Sequence, residues 1–82
     1  MTFPWLRYVI GQSPDGWVVL FATNGHQSDD EIMACALENV EFRQVDPATV
    51  RLVHHRTATE EELDILMNFL DVMLARHRRG ER

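Results

Sequence analysis

The chain has 82 residues, a formal net charge of −5, 45% hydrophobic residues and a single cysteine. That length holds one domain with a modest core, since domains typically run to roughly 100 residues or more. The lone Cys35 excludes an intrachain disulfide frame and argues against zinc sites of the usual Cys/His kind, which leaves oligomerisation as the common route by which so small a domain gains stability.

The longest strongly apolar run, Trp17 to Ala22, falls far short of the roughly 20 residues a membrane span needs. Met1-Thr2-Phe3-Pro4-Trp5 lacks the basic start and small-residue cleavage site of a secretory leader. These features predict a cytoplasmic protein with no membrane association, residues 1–80 forming a single α+β domain and residues 81–82 a short tail. All eight basic residues are arginines. Arginine forms bidentate pairs that lysine does not, but the codon usage of a GC-rich bacterial or phage genome produces the same bias without any functional demand.

Trp5 to Ile10 is rich in β-branched and aromatic residues and reads as a strand. Ser13-Pro14-Asp15-Gly16 is a turn, with proline pre-set for its first central position and glycine free to take positive φ. Trp17 to Thr23 then runs apolar without interruption, as buried strands do, and Asn24-Gly25 closes this first hairpin. Ser28-Asp29-Asp30-Glu31 is a capping box, in which the serine hydroxyl and the glutamate carboxylate each satisfy a free backbone N–H. It predicts a helix from Asp29 to about Glu38 with Ile32, Met33, Ala36 and Leu37 inward, ending at Asn39, a residue that tolerates the left-handed conformation.

Val40 to Val45 and Val50 to His55 alternate apolar with polar on either side of Asp46-Pro47-Ala48-Thr49, which predicts a second hairpin. Thr59-Glu60-Glu61-Glu62 is another capping box, and Leu63 through Arg79 contains no glycine or proline before the natural stop at Gly80. The expected order is therefore ββαββα, a four-stranded antiparallel sheet with both helices on one face.

A search for chemistry gives little. His54 and His55 are adjacent, and neighbours on a strand point to opposite faces. No His-x-x-x-His helix, Cys-x-x-Cys pair or glycine-rich phosphate loop is present. Cys35 lies between two alanines behind an acidic first turn, an environment that disfavours a thiolate, and reads as a small packing residue. His26, in the loop before the first capping box, sits near Asp29 and Asp30 in sequence. His26 or His54 would serve a small enzyme or ligand-binding domain. No catalytic residue, metal or cofactor is expected.

Binding surfaces are better supported. At about 100° per residue, the apolar arc of the last helix covers roughly 220°, whereas a helix lying on a sheet needs a stripe of about 100° or somewhat more. Ile65, Phe69, Val72 and Met73 are therefore expected at an oligomer interface. With Leu6, Tyr8 and Ile10 turned toward the helices, Trp5, Arg7 and Val9 point away. Trp17, Val19, Phe21, Arg43, Arg51 and Val53 share that outer face, and a one-residue shift of register turns the same groups inward. Tryptophan and arginine are frequent binding anchors.

Charge is uneven. Arg76, Arg78, Arg79 and Arg82 face only Glu81 at the C-terminal end, while Asp29, Asp30, Glu31, Glu60, Glu61, Glu62 and Asp64 crowd the two helix starts. Acids at helix N-termini and arginines at C-termini complement the helix dipole. The same acids would also suit a partner with a basic, nucleic-acid-handling surface.

The leading expectation is thus a non-enzymatic, homodimeric interaction protein that inhibits or regulates a larger macromolecule. Partner binding is assigned to Asp29, Asp30, Glu31, Glu60, Glu61, Trp5, Arg7 and Trp17. Small phage-encoded antagonists of bacterial defence or transcription machinery, anti-CRISPR proteins among them, share this size, acidity and lack of catalytic motifs. The alternative is a nucleic-acid-binding regulator using Arg76-His77-Arg78-Arg79. An acidic body disfavours direct nucleic-acid binding, which needs a broader basic footprint.

Overall fold

The computed structural model describes residues 6–78. Three strands, β1 (Arg7–Ser13), β2 (Gly16–Thr23) and β3 (Arg51–His54), form an antiparallel sheet in the order β2-β1-β3, with two helices, α1 (Asp29–Leu37) and α2 (Glu60–Arg78). Single 3-10 turns occupy Pro47–Thr49 and His55–Thr57. The α+β class stands, but the order is ββαβα and the fourth strand is absent from the described residues.

The first hairpin forms as its turn residues dictate. Gly16 takes φ 121°, while the Ser13 hydroxyl accepts from the Asp15 N–H at 3.3 Å and donates to the Gly16 carbonyl at 2.9 Å. Both capping boxes form as well. The Ser28 and Thr59 hydroxyls accept from the Glu31 and Glu62 N–H groups, and the two glutamates accept in return from the cap backbones.

Val40 to Val45 does not extend. The Arg43 N–H reaches the Asn39 carbonyl at 2.9 Å and the Val45 N–H the Val40 carbonyl at 2.9 Å, so the segment coils on itself. Gln44 takes φ 57° to reverse the chain. The two valines anchor this turn by entering the same core five residues apart, an odd spacing that a strand would send to opposite faces and that a coiled loop brings together. Asn39 lacks the expected left-handed conformation. Its side-chain amide instead donates to the Leu20 carbonyl at 3.2 Å, satisfying a backbone acceptor of β2, a strand at the edge of the sheet. With the fourth strand gone, β3 pairs with β1, from Arg7 opposite His54 to Ile10 opposite Arg51.

The helices do not share a face of the sheet. Tyr8, Ile10, Val19 and Val53 pack with Ile65 and Leu66 of α2, while Val9 and Leu20 pack with Ile32 and Ala36 of α1, together with Val40 and Val45. The alternating side chains of β1 thus feed two cores, and Tyr8, Val9 and Ile10 are all fully buried. A bulge makes this register work: Val9 lies opposite Phe21 but Ile10 opposite Val19, so Leu20 is the extra residue. Leu20 and Phe21 consequently both turn toward the α1 side.

α2 is fastened at its start, where the Tyr8 hydroxyl donates to the Glu62 carbonyl at 3.0 Å. Burial pushes the Tyr8 hydroxyl above its ordinary value of 10.0, and the Glu62 charge adds to the shift. The stability linked to this group is present below the unfolded pKa, near 10, and is lost as pH rises through the folded value. Tyr8 is the only tyrosine, so its phenolate absorbance reads this site alone. The midpoint is expected above 10 in the folded protein and near 10 in denaturant, and equal midpoints would refute the burial of the hydroxyl. Gly11 offers a second check. A Cβ there would collide with Val45 Cγ1, so Gly11→Val is expected to cost about 1–3 kcal/mol by overpacking, read as a lower urea midpoint.

Candidate functional site

Three of the seven acids at the helix starts, Asp29, Glu31 and Glu62, are engaged within the chain. Asp29 accepts from Arg7 Nη1 at 2.9 Å and lies 3.4 Å from His54 Nε2. Arg7 also donates to the Gly25 carbonyl at 3.0 Å, which ties the loop before α1 to the start of β1. Glu31 serves the first capping box. Glu62 serves the second and lies 3.5 Å from Arg51, whose guanidinium sits 5.4 Å from the Trp17 ring centroid, in cation–π range. Asp30, Glu60 and Glu61 are exposed.

The open sheet face expected to carry Trp5, Arg7 and Trp17 is replaced by two covered faces. Val9 and Val19 are buried on opposite sides of the sheet. Arg7 is an ion-pair partner on the α1 side, Trp17 packs half-buried on the α2 side, and Trp5 lies outside the described residues.

Of the residues assigned to an oligomer interface, Ile65 is buried in the chain's own core and Phe69 packs half-buried beside it, whereas Val72 and Met73 are exposed. The overwide apolar arc of α2 now divides into two strips. One continues the core-facing side through Phe69, Val72 and Met73, where it meets the turn after α1. There Phe42 stands 84% exposed, with Arg43 beside it. A cavity of about 180 Å³ lies between Trp17, Val19, Arg43, Ile65, Phe69 and Val72. It adjoins a broader groove of about 440 Å³ lined by Phe42, Arg43, Phe69, Val72, Met73 and Arg76.

The second strip runs through Leu63, Met67, Leu70 and Leu74, the last three exposed. Its 4-3-4 spacing is that of a coiled-coil seam. Sequence reasoning missed Phe42 because a strand assignment hid it. The one available signal is the polar pair Arg43-Gln44, which breaks the alternation and puts Val45 out of phase with Val40 and Phe42.

Catalytic chemistry finds no constellation among the described residues. His26 is exposed in its loop, and no group of three His, Cys, Asp or Glu side chains converges to hold a metal. Cys35 is exposed on α1 instead of packing in the core. His54 is solvated beside Asp29, while His55 Nδ1 is buried without a hydrogen-bond partner among the described residues. No helix among those residues is long and apolar enough to cross a membrane. In the C-terminal arginine cluster Arg76 is exposed on α2, and Arg79 lies outside the described residues. The chain matches no known protein family, no curated protein and no solved structure.

The Arg7 hydrogen bond holds the Asp29 carboxyl below its ordinary 3.8, aided by the charges of His54 and Arg7. The linked stability is present above the unfolded pKa, near 4, and is lost as pH falls through the lowered folded value. Carboxyl-resonance titration is expected to place Asp29 below 3.8 in the native chain and to return it toward 3.8 in Arg7→Met. A titration unmoved by the substitution would mean that the pair does not persist in solution.

Proposed function

We propose that this chain is a non-catalytic protein-interaction module that inhibits or regulates a larger macromolecule, and that its contact surface is the second half of α2 with the Phe42 turn. One observation carries the reading: Phe42, Met67, Leu70, Val72, Met73 and Leu74 remain exposed after the chain has folded. Apolar side chains scattered singly over a surface need no explanation, but large contiguous patches mark interaction sites. The acidic helix starts carry less of the argument, because caps and ion pairs account for Asp29, Glu31 and Glu62 locally.

The seam of Leu63, Met67, Leu70 and Leu74 favours a second copy of the chain as one occupant of this surface. Two α2 helices joined along it would bury the three exposed members, in line with the need of a small core for added burial. Light scattering at micromolar concentration is expected to give twice the 9.6 kDa chain mass. Leu70→Asp should return the protein to monomer by burying an unpaired charge at the interface. A wild-type mass of one chain would remove the dimer, and a dimer that tolerates Leu70→Asp would move its interface off the seam.

A further inference from the structure

We infer that the groove between the Phe42 turn and α2 receives an acidic amphipathic segment of another protein, with a large apolar side chain set between carboxylates. The inference rests on the reading of α2 as a contact surface and names the chemistry of what docks there. Its floor is apolar and open, formed by Phe42, Phe69, Val72 and Met73. The adjoining cavity of about 180 Å³ matches one anchoring side chain, because an apolar void of about 150 Å³ already holds a benzene ring.

The rim selects the charge. Arg43 borders both hollows and Arg76 the outer one. Arg7 and Arg51 each have a carboxylate within 4.0 Å, whereas no ion pair involves Arg43 or Arg76 among the described residues. Two guanidinium groups with no ion-pair partner among the described residues, set beside an apolar floor, offer bidentate sites for carboxylates.

The same arginines argue against a two-fold pairing of this groove with its own copy. Such an interface is isologous, so it would gather four guanidinium groups against two linings that contain no carboxylate to neutralise them. That leaves the groove and the seam on α2 with different occupants. The net charge of −5 repels an acidic partner at long range, but beyond a Debye length of about 8 Å at physiological ionic strength this repulsion is screened. The rim pairs then decide at contact.

The test uses the full chain and two fluorescein-labelled amphipathic helical peptides with identical leucine and phenylalanine positions, one carrying glutamate and the other lysine at every polar position. Fluorescence anisotropy is expected to show the glutamate peptide binding at least tenfold more tightly. Arg43→Glu with Arg76→Glu should reverse that preference, and Phe42→Asp should weaken both peptides; far-UV circular dichroism and Tyr8 absorbance verify that each variant is folded.

Binding of neither peptide, equal binding of both, or a preference unchanged by the charge reversal would overturn the inference. So would a homodimer that Phe42→Asp dissociates and Leu70→Asp leaves intact, since a second copy would then fill the groove. In that case α2 and the Phe42 turn would remain the contact surface, and only the acidic occupant would fall.

Discussion

The double burial of β1 organises the molecule. Tyr8, Val9 and Ile10 are consecutive and fully shielded from water, while β2 and β3 hydrogen-bond to the two edges of the same strand. Consecutive strand residues point to opposite faces, so each face requires its own cover. One helix on each side supplies it, and the chain becomes three thin layers with two small cores where a single larger one was expected.

That division has a consequence for α2. A core shared between two faces is shallow, and on its own face α2 finds room only for Ile65 and Leu66, with Phe69 at the margin. Further along the helix Met67, Leu70, Val72, Met73 and Leu74 stay exposed. Hydrophobic burial contributes roughly 25 cal/mol per Å², and a domain this small has little stability to spare. Exposed leucines, methionines and a phenylalanine on one helix and one turn are the observation from which the proposed contact surface is argued. Charge then partitions that surface: arginines border the groove, while Asp64 and Asp71 flank the seam in sequence.

The polar contacts do a different job. Asp29, Arg7 and His54 join the start of α1 to the adjacent ends of β1 and β3. Glu62, Arg51 and Trp17 link the start of α2 across the sheet. Exposed ion pairs contribute little stability, typically below about 1 kcal/mol. They tie the helix starts that the capping boxes define to neighbouring strands of the sheet.

Sequence by itself determined the elements whose signals are local. The Ser13–Gly16 turn, the two capping boxes and the strands beginning near Arg7, Trp17 and Arg51 depend on residues within four positions of one another, and they form where the residues place them. The uninterrupted apolar run of β2 even carried the signature of a strand covered on both faces. Assigning alternate residues to an open face passed over it. Only the tertiary structure decided the rest. Whether Val40 to Val45 extends or coils depends on where Val40 and Val45 find a core, and that core is assembled from Val9, Leu20 and Ile32. Which side chains of β2 meet each helix depends on one extra residue, Leu20, that shifts the register of the strand. The meeting of Phe42, Arg43 and Arg76 likewise follows from packing between segments some thirty residues apart, a distance over which neither spacing nor propensity carries information.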